Sequence, residues 1–417
     1  MEDRLDLILY GATGFTGRLV AAYLCERYGA ADTLRWGIAG RSTTKLEELR
    51  SELASLDPAA AQLPTVLADA AEPATLRSMA RHTRVLISTV GPYARYGSDL
   101  VAACVEQGAD YCDLTGEVPW IRAMIDEHHQ RAAEQGRRIV HCCGFDSIPS
   151  DLGVFLLQQA ARERFGVPLP RTRLLISAMK GGFSGGTVAS MMDMVADAKD
   201  PAVRRLLADP YALIPTGAPR GQDSADQMDL RWDEGLGRWT GPFVMAAMNT
   251  RVVRRSHALL ADEGYGSDFS YQEASLLPRG ARGWWTGQVM RLGLGAIMLA
   301  AVLPGGPRLL TSTILPAPGQ GPSREQREAG YFAARILAEG EDAAGQTQRL
   351  ELRVKGKRDP GYGATCRMLA ESALCLLQDK QRLPRRFGVL TPASAMGQVL
   401  AERLEQVGLR FEVMDAS

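Results

Sequence analysis

The chain has 417 residues with 48 Lys plus Arg against 48 Asp plus Glu, so it carries no formal net charge and no chain-wide field that would draw it to nucleic acid. That length supports an ordinary soluble enzyme of two domains, each large enough for its own core. Seven cysteines occur without a CxxC pair, and Met1-Glu2-Asp3-Arg4 lacks the basic and apolar order of a signal peptide; reduced thiols in a cytoplasmic protein are the expectation.

In chain order, the apolar run Leu5–Tyr10 reads as a strand. It runs into Gly11-Ala12-Thr13-Gly14-Phe15-Thr16-Gly17 and then into a helix over 18–28, with Leu19, Val20, Tyr23 and Leu24 at helical spacing. A strand that ends in a glycine-rich turn and opens a helix offers backbone N–H groups at a positive dipole end, where a pyrophosphate can sit. The spacing is GxxGxxG, not GxGxxG, but the mechanism is the same: Gly11 permits the turn, Gly14 the approach of phosphate, Gly17 the helix packing. Gly11, Thr13, Gly14, Phe15, Thr16 and Gly17 are the first cofactor-binding candidates. The next strand ends at Ala39-Gly40-Arg41-Ser42, where an NAD site would place Asp or Glu for the ribose hydroxyls. Here Arg41 can instead pair with a phosphate, with Ser42 and Lys45 as nearby donors, so NADPH is expected over NADH.

Further strands are read at 64–69, 84–90, 110–113 and 138–141, with helices over 98–106 and 120–134 between them. This alternation predicts an α/β protein with an N-terminal Rossmann, doubly wound parallel sheet, whose ligands gather at the strand carboxyl ends. Those ends carry Thr89, Val90 and Gly91, added to the cofactor candidates, then Asp113 to Glu117, then Cys142 to Asp151. Adjacent cysteines at 142 and 143 beside His141 lack paired ligand spacing, so no metal is expected. His128-His129 is read as a solvated helix face.

Beyond residue 150 the pattern is weaker. Strands are read at 174–180 and 350–355, a helix over 364–377, and a surface excursion over 209–241. Asn249 to Arg255 reads as a basic strand edge or as an anion site through Arg251, Arg254 and Arg255. The apolar run 292–303, after Trp284-Trp285 and before Pro304, is too short to span a bilayer and reads first as a buried helix, second as an acyl-tunnel wall or peripheral membrane contact. A helix with an apolar face from Ala395 to Val407 and a strand at 409–413 close the chain.

Together, Gly11 to Gly17, Ala39 to Arg41, Val90-Gly91-Pro92-Tyr93, Tyr111 to Glu117, Gly144 to Asp151, Gly181 to Thr187 and Thr391 to Gly397 make the chain resemble the saccharopine dehydrogenase-like oxidoreductases, particularly their trans-acting enoyl reductase branch. The resemblance implies an NADP-binding Rossmann domain over 1–150, a mixed α/β substrate and dimerisation domain over 151–390, and a C-terminal helix and strand over 391–417 returning to the Rossmann domain. It implies NADPH-dependent reduction of an enoyl, lipid-like acyl or polyketide thioester, free or carrier-bound, and admits a homodimer. Reducing such an alkene demands a hydrogen-bond donor at the carbonyl and a proton donor at the α-carbon. By motif position Tyr93, Asp146, Ser147 and Lys180 are the catalytic candidates; Tyr93 as a packing residue and Ser147 as a helix N-cap stand beside those roles. Short-chain dehydrogenase chemistry is excluded, because no tyrosine has lysine four residues later. A saccharopine-type enzyme acting on an imine of an amino acid and an oxo acid, and a non-catalytic NADP-sensing protein, remain as alternatives.

Overall fold

The computed structural model describes residues 4–30, 34–181, 199–221, 223, 225–260, 263–302 and 321–415. The described residues divide into two compact units. The first takes those up to Ile148 together with Gly321 and Gly361–Val407; the second takes the rest, from Pro149 to Pro360 and from Gly408 onward.

The first unit is built on strands β1 (Leu5–Tyr10), β2 (Trp36–Gly40), β3 (Thr65–Leu67), β4 (Thr83–Ser88), β5 (Asp110–Asp113) and β6 (Arg138–Val140). Between them run helices α1 (Phe15–Tyr28), α2 (Thr43–Ala54), α3 (Pro73–Arg81), the single turn α4 (Tyr93–Tyr96), α5 (Ser98–Gln107) and α6 (Val118–Glu134). A seventh strand, Gly388–Leu390, pairs parallel to β6, and the strand order is 388–390, β6, β5, β4, β1, β2, β3. All pairings are parallel, as the alternating elements predict. Both faces are covered, so β2, β5 and β6 are buried along their whole length; β2 reads as a run of apolar and small residues, whereas β5 and β6 also bury Asp110, Asp113 and Arg138. The chain winds outward from β1 through β2 to β3, then restarts at β4 on the other side of β1. Strands β1 and β4 therefore flank the switch point, where ligands of such sheets bind.

Residues 361–390, expected in the second domain, complete the first. The helix Thr365–Gln378 is buried along most of its length, and its Glu371 accepts hydrogen bonds from Tyr23 (2.5 Å) and Tyr28 (2.6 Å) and pairs with Arg403 (2.9 Å) of the helix Pro392–Glu405. An apolar helix reads the same in sequence whichever core it fills. His128, expected in solvent, is buried in α6 because it lies three and four residues after the buried Ile125 and Met124, on the inward stripe of the helix.

The second unit opens with α7 (Ile148–Phe165), whose first residue belongs to the first unit, and holds β7 (Arg171–Lys180), β8 (Arg231–Asp233), β9 (Arg238–Gly241), β10 (Ser270–Leu276), β11 (Tyr331–Glu341) and β12 (Thr347–Lys357). Its mixed sheet ends in the strand Leu409–Asp415, which lies antiparallel to β12 with Val354 opposite Phe411. That corrects the expected return of the last strand to the Rossmann sheet; only the preceding helix and the strand Gly388–Leu390 do so. The alternation of β11, inward at every second residue, marks a sheet covered on one face. There Gly153 of α7 lies so close that a Cβ would stand 2.4 Å from Ile336 Cδ1.

Two further expectations change here. Asn249 to Arg255 belongs to a helix, Ala246–Leu260, not to a strand edge. The apolar run begins on the helix Gly280–Val302, where Trp285 (63%), Val289 (69%) and Leu292 (66%) are exposed and Met290 and Leu294 half-buried; the side chains of 297–302 lie outside those described. The reason is the opposite face, where a Cβ on Gly287 would stand 2.2 Å from Leu230 Cδ1 and one on Gly283 2.0 Å from the Pro278 carbonyl oxygen. The helix docks by its bare backbone and leaves its bulk outside. Residues 303–307 and Gly182 to Thr187 lie outside the described residues.

Candidate active site

Strand β1 delivers the chain into Gly11, whose φ of +81° is a conformation that favours glycine. A Cβ there would stand 2.7 Å from Val90 Cγ2 and 2.8 Å from Thr89 Oγ1, so the turns after β1 and β4 touch at the switch point. The Thr89 hydroxyl lies 3.1 Å from both the Tyr10 and Gly11 carbonyl oxygens, to which it donates. Gly17 is equally forced: its Cβ would stand 2.2 Å from Gly11 O. Gly14 is different. It is exposed, has an ordinary φ of −75°, and its Cβ would meet only Gly11 O at 3.3 Å. The fold itself barely requires a glycine there, whereas an approaching phosphate does.

Gly14 is also the N-cap of α1, with no side chain capping it, and the next bond of the helix runs from Arg18 N–H to Gly14 O at 2.9 Å. A helix start of this kind presents N–H groups and a positive dipole end to an anion. The Phe15 ring is turned into the protein, edge-on to Tyr362 at 5.1 Å, so Phe15 can serve a ligand by its backbone and not its ring. Arg41 follows the end of β2, is exposed and forms no ion pair among the described residues. Ser42 caps α2 by accepting from Lys45 N–H at 3.4 Å, and Lys45 is exposed on the same first turn. The residues present therefore suit a dinucleotide with an additional phosphate: a side-chain-free cradle, an uncapped helix start and an unpaired guanidinium.

After β4, Val90 and Gly91 line the exposed turn, but Tyr93 folds inward. Its hydroxyl donates to Ser88 O at 3.0 Å, its ring lies 5.4 Å from Trp120, and burial beside Asp113 pushes its pKa well above the ordinary value. Glu117 accepts the N–H groups of Tyr93 (2.9 Å) and Ala94 (2.7 Å) and so fixes this turn. Tyr93 is thus buried with its hydroxyl engaged by the Ser88 carbonyl.

The ends of β5 and β6 hold a buried polar knot. Asp113 accepts from the Tyr111 hydroxyl (3.0 Å), Thr115 N–H (3.1 Å) and His141 Nδ1 (2.8 Å), while His141 Nε2 is buried without a hydrogen-bond partner. Burial pushes the thiols of Cys142 and Cys143 up, away from nucleophilic or metal-binding thiolate, and no group of three potential metal ligands occurs among the described residues. In this loop Ser147 is fully buried directly before α7 and contacts the Cys142 thiol. Asp146 alone between Cys142 and Asp151 is half-buried, and desolvation raises its carboxyl to about 6. A carboxyl poised there can release or take a proton near neutral pH.

In the second unit, Lys180 is exposed at the end of β7, in register with Tyr331. The three arginines of the helix Ala246–Leu260 are buried and already engaged: Arg251 with Asp226, Arg254 with Asp223 at 2.6 Å and with the Tyr271 and Pro210 carbonyls, Arg255 with Leu213 O. They staple the 209–241 excursion to the helix. Sequence reasoning missed Glu273, buried on β10 and holding the hydroxyl of Tyr271 (2.7 Å) and the amide of Asn249 (2.9 Å), with its pKa raised by burial to about 7. The available signal was a carboxylate two residues after Tyr271, and so of the same strand parity, on the inward face of β10.

Residues 7–140 match the saccharopine dehydrogenase NADP binding domain. A Mycobacterium tuberculosis relative is 43% identical over 98% of this chain and 97% of its own length. Proteins named trans-acting enoyl reductase from Mycobacterium ulcerans (40% identical) and Mycobacterium tuberculosis (39%) match over 98% of this chain and 97% of theirs. The chain belongs to the trans-acting enoyl reductase family. Its fold is that of apo saccharopine dehydrogenase (L-Glu forming) from Saccharomyces cerevisiae, with a TM-score of 0.52 at 12% identity over 98% of this chain and all of that one.

Membership in the trans-acting enoyl reductases makes the protein an NADP-dependent oxidoreductase and NADP(H) its cofactor, as the glycine turn and Arg41 predict. The matched domain spans β1 to β6; the seventh strand is supplied by residues 388–390. Among the described residues, no helix is long and apolar enough to cross a membrane.

Proposed function

We propose that this protein uses NADPH to reduce the carbon–carbon double bond of an enoyl thioester, with Asp146 as the proton donor. The observation that carries the reading is the half-buried Asp146 carboxyl, raised to about 6, on a strand-end loop of the same sheet whose switch point forms the glycine cradle. NADPH when bound supplies the hydride. Gly14 keeps the helix start open to the pyrophosphate, and Arg41 pairs with the extra phosphate of NADP. Thr89 holds the two switch-point turns together, and Val90 and Gly91 line them. Asp146 delivers a proton to the α-carbon; with a pKa near 6, roughly a tenth of it is protonated at pH 7. Ser147 anchors the Asp146 loop from its buried position, and Tyr93 fixes the turn after β4 through its hydrogen bond to Ser88 O.

The saccharopine-type alternative needs free cations for several carboxylates. Arg251, Arg254 and Arg255 are consumed internally, which favours the enoyl substrate. A lipid-like chain on that substrate suits the exposed stripe of Trp285, Val289 and Leu292 on the helix Gly280–Val302, which contains no acidic residue, carries exposed Arg282 and Arg291 and follows exposed Arg279. This stripe is read as a contact with an anionic membrane surface. Flotation with phosphatidylglycerol vesicles should fall sharply in Trp285→Ser/Leu292→Ser; unchanged flotation, or loss of a dimer instead, rejects that contact.

The activity is tested by following NADPH oxidation with a panel of α,β-unsaturated acyl thioesters, free and carrier-linked, beside imine-forming amino acid and oxo acid pairs. Turnover of the thioesters is expected. Turnover only of the imine pairs, or cofactor binding without any turnover, sinks the proposal in favour of one or the other alternative.

A further inference from the structure

We propose that the amino end of the first sheet holds a second anion site, built to take an organic polyphosphate. A cavity of about 690 Å³ opens where β1, β4 and β5 begin, and Arg4, Arg35, Arg81, Arg84, Arg137 and Lys380 line it. The chain as a whole is neutral, so six cations around one cavity are a local concentration. Asp110 is the single carboxylate of the lining, and Asp6 lies beside it, accepting from Arg84 at 3.1 Å and pairing with Arg35 at 3.8 Å.

Part of this charge has a structural use. Arg4 donates to Gln107 O at 3.2 Å and Arg137 to Gly108 O at 3.0 Å, satisfying carbonyls at the carboxyl end of α5. Helices α3 and Thr365–Gln378 also end at this cavity, and each helix end contributes about half a negative charge. Set against six cations, three such ends and two carboxylates leave an excess of about two to three positive charges. The donors are also in excess: a guanidinium carries five N–H groups, and Arg4, Arg81 and Arg137 give few of theirs to carbonyl or amide oxygens. Such forks match phosphate oxygens.

The volume is that of a small-molecule site, not of a flat protein interface. Among the apolar residues of the lining, Leu377 is half-buried while Val85 and Leu376 are buried, so Leu377 offers the apolar surface that suits a ligand with an organic part beside its phosphates. The glycine cradle lies at the opposite, carboxyl end of the same strands, so the two anion sites are separate.

The test uses the full chain saturated with NADP+, titrated calorimetrically with ATP and, separately, with inorganic tripolyphosphate. ATP should bind with one equivalent, and more tightly than tripolyphosphate. Arg81 and Lys380 are exposed, so Arg81→Ala/Lys380→Ala should fold, keep its NADP+ affinity within about two-fold and weaken ATP about ten-fold or more. The single Arg84→Ala variant should weaken it by a smaller factor. Absence of saturable binding, or ATP affinity unchanged in both variants, overturns the site; tripolyphosphate binding as tightly as ATP overturns its organic specificity.

Discussion

The two ends of the first parallel sheet meet anions by opposite means. At the carboxyl end the cradle is almost bare of side chains: Gly11, Gly14 and Gly17 clear the space, the start of α1 supplies N–H groups, and a single exposed guanidinium, Arg41, stands at the end of β2. At the amino end the helices arrive with their negative termini, and positive potential has to come from side chains, six of them. One sheet thus makes a shaped site where the dipoles favour anions and a charge-dense site where they oppose them.

The largest expected effect breaks the chemistry of the carboxyl end. Asp146→Asn should lower kcat by about 10²–10³-fold while leaving NADPH affinity unchanged, measured by stopped-flow turnover and fluorescence titration. An acid with a pKa near 6 loses its proton as pH rises through that value, so wild-type kcat should fall above pH 6 and the variant profile should lack that limb.

Next come the glycines, which separate fold from ligand. Gly17→Ala must displace Gly11 O from 2.2 Å and should cost about 3 kcal/mol of stability, read from denaturant midpoints. Gly14→Ala should stay folded, its nearest contact being 3.3 Å, yet lose about ten-fold or more in NADPH affinity. If Gly14→Ala unfolds the protein instead, the cradle is structural at all three glycines.

The smallest effect lies outside both ends. Glu273 has a carboxyl raised to about 7, so the stability it contributes is full below the ordinary Glu value and is lost as pH rises through 7. Glu273→Gln should flatten thermal stability against pH between about 4.5 and 7; an unchanged slope places that titration elsewhere.

The same contrast explains what the sequence disclosed. The cradle is legible because its parts are contiguous, from Leu5 to Gly17, and because parallel strands buried on both faces read as apolar runs. The amino-end cavity draws its cations from segments around residues 4, 35, 81–84, 137 and 380, and only the fold brings these together. Residues 361–390 fall in the first unit for a related reason: the helix Thr365–Gln378 is apolar enough for either core, and it is Glu371 meeting Tyr23 and Tyr28 that ties it to the first. The hydrogen bond of the Tyr93 hydroxyl to Ser88 O is likewise a matter of rotamer and burial that no spacing encodes.

The central claim is that Arg41 at the end of β2 reads the phosphate distinguishing NADPH from NADH. It is tested most directly by titrating wild type and Arg41→Ala with both cofactors. The account predicts NADPH weakened by about 10–100-fold with NADH changed less than about two-fold. Equal losses for the two cofactors, or no loss for NADPH, would contradict it.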